Sequence, residues 1–143
     1  MRNIEEFNIA VAEILGLCYR EFPTPVPIYK SEIGAAIKDG LGVEYDPSYI
    51  NLSEREYKVV EHTLSWLIKA GYIWADNPNA QPTSMNIRLS PLGLEVLNSV
   101  PDSLQMTESI GEKLSKGAKF LGKEALLTTV NTALSIGLGN LSV

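Results

Sequence analysis

The chain has 143 residues, 45% of them hydrophobic and 20% charged, the composition of one folded domain with at most a short appendage. A formal charge of −5 repels phosphate backbones and anionic lipid surfaces. A single cysteine, Cys18, excludes an internal disulfide and a thiolate metal cluster, and the start MRNIEEFNIA has none of the basic, then apolar, character of a secretory signal, so a cytoplasmic protein is expected.

Phe7, Val11, Ile14, Leu15, Cys18 and Phe22 share one helical face and predict a helix over 3–21 with Cys18 in the core. Pro23, Pro25 and Pro27 end it, and Val26 to Tyr29 reads as a short strand. A second helix is predicted over 31–39, capped by Ser31 and closed by Gly40. Ser53 and Glu56 form a capping box, with Leu52 and Tyr57 as its hydrophobic staple. Tyr57, Val60, Leu64, Leu67 and Ile68 then continue a third helix to Gly71. Tyr72 to Trp74 and Met85 to Leu89 read as strands flanking a turn-rich loop, and Ser90-Pro91 opens a fourth helix.

This order is helix, strand, helix, helix, strand, loop, strand, helix. Leu67, Gly71, Tyr72 and Ile73, followed by Leu89, Ser90, Gly93 and Leu97, resemble the third helix, wing and fourth helix of the winged helix-turn-helix superfamily. The chain resembles, more loosely, bacterial and phage-related winged-helix proteins with a C-terminal helical tail. The resemblance implies a mainly α (α+β) fold: a winged-helix domain over 1–105 with a small β wing, then a helical tail over 106–143. It is a resemblance of fold, and folds host many functions.

In such a fold the third helix and wing would meet DNA. The candidate contacts are Arg55, Lys58, Lys69 and Arg88. Residues 1–105 nevertheless hold 8 Lys/Arg against 14 Asp/Glu, and carboxylates on that face oppose a polyanion. Duplex binding is therefore the second reading. His62, the only histidine, has no second histidine to complete a zinc site, and no catalytic pair or triad emerges. No enzyme activity, metal or cofactor is expected. Gly117 to Lys123 matches G-x-x-x-x-G-K, but Glu124 stands where Ser or Thr is needed and no strand precedes it, so the match is accidental.

The tail carries the functional expectation. Ile110, Leu114, Gly117, Ala118, Leu121 and Ala125 fall within one arc of what reads as a continuous helix. From Ala125 onward there is no charge, and Leu126, Leu127, Val130 and Leu134 spread around the axis. A helix apolar on all sides must be covered. It can fold back on the body, pair with a second copy, or lie in a membrane interface beside Lys113, Lys116, Lys119 and Lys123. Self-association or docking of a protein partner through 107–143 is the favoured reading. Trp66, Ile110, Leu114, Leu121, Leu126, Val130 and Leu134 are the candidate contacts.

Overall fold

The first helix, α1 (Arg2–Glu21), forms where the apolar periodicity places it. It is buried on more than the predicted stripe: Ile9, Ala10 and Ala12 are as enclosed as Val11, Ile14, Leu15 and Cys18. The reason lies in its neighbours, for α1 touches five other helices, three of them from the tail. Phe22 lies just past its end and is 38% exposed, so it does not join the core face expected of it. The computed structural model describes residues 2–41, 54–76, 85–101 and 107–141.

Strand β1 (Val26–Pro27) leads into α2 (Lys30–Gly40). Ser31 lies inside α2 and is not its cap. The N-cap is Tyr29, whose carbonyl accepts from Glu32 N at 3.0 Å and Ile33 N at 3.3 Å with no side-chain contribution. Gly40 is the last helical residue, not the residue beyond it. Helix α3 (Glu54–Ala70) closes at Gly71, whose N–H reaches Leu67 O while Tyr72 N donates to the same carbonyl at 3.0 Å. Tyr57, expected on its core stripe, is 38% exposed. The capping partners Leu52 and Ser53, and most of the predicted wing loop, lie outside the described residues.

Strands β2 (Ile73–Ala75) and β3 (Asn86–Leu89) pair antiparallel with Ile73 opposite Leu89, and β1 adds on the other side with Val26 opposite Ile87. The sheet order is β1-β3-β2. Ser90 caps α4 (Pro91–Asn98) by accepting from Gly93 N at 3.0 Å.

The C-terminal segment is three helices, not one: α5 (Ile110–Leu114), α6 (Ala118–Leu121) and α7 (Lys123–Leu141). Gly117 at φ +97° and Gly122 at φ +78° break it, in a backbone region that side chains with a Cβ seldom enter. Ser109 starts α5 by accepting from Glu112 N at 3.1 Å. All three helices return to the body. Ile110, Leu114, Leu126, Val130 and Ala133 belong to the same buried cluster as α1, α2 and the sheet. The molecule is mostly helical, with one small antiparallel sheet.

Candidate interaction surfaces

The outward face of α3 is built from charged residues at helical spacing, and most of its cations are answered inside the chain. Arg55 donates from Nε to both oxygens of Glu6 at 3.1 Å and from Nη2 to Oε1. Glu6 projects from α1 and is fully buried, with Arg2 a further 3.7 Å away. Hydrogen bonding to Glu6, then its charge, raises the Arg55 pKa still further. Lys58 lies 3.2 Å from Glu54, and Lys38 lies 3.7 Å from Glu56. Lys30 donates to Glu61 and so holds that carboxyl below its ordinary pKa. Arg88 on β3 bonds Asp76 at 3.0 Å, where the loop after β2 begins. Of the four candidate DNA contacts, Arg55, Lys58 and Arg88 thus each hold a carboxylate; Lys69 is exposed in the last turn of α3. His62 stands in an open groove with Asn3, Glu54, Arg55, Lys58 and Val59. Among the described residues no three His, Cys, Asp or Glu side chains cluster to hold a metal. Burial pushes the Cys18 thiol up to about 12, which keeps it protonated and poorly nucleophilic.

Trp66 sits at the seam between body and tail. Its ring meets Phe7 of α1 edge-on at 5.3 Å and stacks at 6.2 Å on Tyr72. Tyr72 in turn donates to Leu134 O of α7 at 2.9 Å. A Cβ at Gly137 would fall 2.3 Å from the Tyr72 ring, so α7 can lie this close only with glycine there. At 39% exposure Trp66 is the edge of this aromatic column.

The other candidate contacts divide sharply. Ile110, Leu114, Leu126 and Val130 are buried in the chain's own core, and within this fold no second molecule reaches them. Leu121 and Leu134 are half-buried against the same core. What the tail leaves outside is a different face of α7. Leu127 (42% exposed), Asn131 and Leu138 (50% exposed) stand out with the half-buried Leu134 between them, at steps of four, three and four, one stripe along the flank of the helix. Every residue from Ala125 to Leu141 is uncharged. No helix among the described residues is long and apolar enough to cross a membrane.

Beside that stripe, α1 and the first turns of α7 leave a cleft of about 190 Å³, lined by Glu5, Asn8, Ile9, Lys123, Glu124, Leu126 and Leu127. Lys123 lies 3.4 Å from Glu5 across its rim. Asn8 is 3% exposed, and its side-chain Nδ2 is the only buried side-chain polar atom among the described residues without a hydrogen-bond partner.

Sequence reasoning missed Glu6, Asn8 and Tyr72. Glu6 and Asn8 had a signal, being polar residues on either side of Phe7 in a helix otherwise rich in aliphatic and small residues. The partner of Tyr72 is 62 residues away, and nothing local points to it. No family model, curated protein or solved structure matches the chain.

Proposed function

We propose that this chain is a non-enzymatic winged-helix module that self-associates, with the outer face of α7 as its contact surface. The body supports a winged helix by its element order and by the sheet order β1-β3-β2, with α2 and α3 between the first two strands. The observation that carries the self-association is the uncharged stripe Leu127, Asn131, Leu134, Leu138. Copies that each carry −5 repel one another, and this face lets two meet with little charge between them. Leucines at this spacing form a helix-pairing seam, and one asparagine within it favours the register that sets amide against amide. Parallel pairing about a twofold places Asn131 opposite Asn131.

A helix of 19 residues is about 28 Å long, and a single helix pair of that length buries less than the ~1,200 Å² of a standard interface. The dimer is accordingly weak and concentration-dependent. Sedimentation velocity from micromolar to millimolar protein tests it: the average mass rises towards that of a dimer, and Leu138→Lys or Leu127→Glu keeps the chain folded and monomeric. A wild-type chain that stays monomeric at millimolar concentration refutes the reading.

The second reading is a duplex-DNA-binding regulator, which the exposed α3 face and Lys69 favour. It requires the carboxylates to release Arg55, Lys58 and Arg88 to phosphate. Titration of a duplex at low salt separates the two readings, since salt-sensitive binding at micromolar protein supports the regulator.

A further inference from the structure

We propose that the cleft between α1 and α7 binds a small uncharged molecule with a carbonyl oxygen on an apolar body. The wall is supplied by Ile9, Leu126 and Leu127 together with the aliphatic stems of Glu5, Lys123 and Glu124. A cavity of about 150 Å³ holds benzene, so about 190 Å³ suits a body of six to eight non-hydrogen atoms. Water fits poorly, because a held water needs two to four polar partners and this lining is almost wholly apolar.

The polar demand comes from Asn8. Its buried Nδ2 is a donor without an acceptor, and a group left so is costly until an acceptor meets it. Asn8 lines the cleft, and the broad last torsion of asparagine allows its N–H to be aimed there when an acceptor enters. A cation brings only donors and cannot answer it. An anion brings an acceptor but meets the wrong rim: Lys123 is engaged by Glu5, and Glu124 leaves a surplus negative charge. A neutral carbonyl satisfies both constraints.

The test uses the full-length chain carrying Leu138→Lys. That residue does not line the cleft, and the substitution removes α7-mediated pairing where it exists, so the outcome is independent of the dimer. Cyclohexanone and cyclohexylammonium are titrated while amide resonances of Asn8, Ile9 and Leu126 are followed by nuclear magnetic resonance. Cyclohexanone is expected to give saturable shifts at millimolar concentration that include the Asn8 side chain, and cyclohexylammonium none. Asn8→Leu keeps the size of the side chain and should weaken cyclohexanone roughly fivefold, the worth of one hydrogen bond. Leu127→Trp, a substitution at a partly exposed position that fills the cleft, should abolish binding. The proposal fails if cyclohexanone gives no saturable shift, if the ammonium binds as tightly, or if Asn8→Leu and Leu127→Trp bind like the parent.

Discussion

Helices α3 and α7 each sink one face into the same core, yet they leave opposite surfaces behind. The outward face of α3 is crowded with ions, and Glu6, Glu54 and Glu61 engage Arg55, Lys58 and Lys30 there. The outward face of α7 is uncharged from Ala125 to Leu141 and keeps two half-exposed leucines. A surface is available to a second molecule only to the extent that the chain has not already answered it. By that measure the helix with the most charge is largely closed to a polyanion. The uncharged face, that of α7 beyond Glu124, is the open one.

The contrast requires α7 to be part of the fold, and the severest test is to remove the tail. A chain ending at residue 105 loses Ile110, Leu114, Leu126 and Val130 from the core. At roughly 1.5–3 kcal/mol for each buried aliphatic side chain, the loss is about 6–12 kcal/mol, comparable to the whole stability of a small domain. The truncated chain should show no cooperative thermal transition by circular dichroism. A sharp melt near that of the full chain would make the tail an independent appendage.

A smaller lesion addresses the seat of α7 alone. Gly137→Leu drives a side chain into the Tyr72 ring, where even a Cβ would stand 2.3 Å away, and the helix must lift. Overpacking of this kind costs about 1–3 kcal/mol, visible as a lower urea midpoint. Tyr72→Phe, which removes only the bond to Leu134 O, should cost about 1 kcal/mol. If Gly137→Leu leaves the midpoint unchanged, α7 is not held at Tyr72.

The α3 side of the contrast is sharpened by Glu6→Gln. The amide nearly keeps the size of the side chain but removes the charge opposite Arg55, whose guanidinium is then free to meet phosphate. The melting temperature should fall by several degrees, and duplex binding at low salt should strengthen several-fold with a steeper salt dependence. Unchanged duplex binding would show that the Glu6 pairing is not what shields this face.

How much of this was legible in the residues depends on distance along the chain. Helix α1 and the Leu67 to Ser90 block followed from periodicity, the glycine after α3 and the proline after Ser90, all local signals. The division of the tail was legible in part: Ser109 and Glu112 carry a capping-box spacing, and the glycines at 117 and 122 are natural breaks. Reading them as small residues within one arc hid the turns. The pairing of Glu6 with Arg55 and the close approach of Gly137 to Tyr72 join segments far apart in sequence, and one sequence contains no register for such contacts. The stripe on α7 was obscured for a related reason. An all-round apolar helix does not announce which face the body will take, and the choice fell on Leu126, Val130 and Ala133.

The mildest perturbation is acid, and it should act on the two helices unequally. Lys30 holds the Glu61 carboxyl below its ordinary pKa of about 4.3. A carboxyl whose pKa is lower folded than unfolded contributes stability that is fully present above the unfolded value and fades as pH falls through the folded one. The pair is partly exposed, with Glu61 39% accessible, so its share is roughly 0.5 kcal/mol after solvent screening. Between neutrality and about pH 3 the wild-type chain should therefore lose slightly more stability than Lys30→Met, which has no such pair to lose. Nothing between Ala125 and Leu141 titrates, so pairing through α7 should persist over any pH range in which the chain stays folded. Parallel urea titrations of the two chains at neutral and acid pH measure the difference, and identical acid losses would mean that Lys30 contributes nothing to holding α2 against α3.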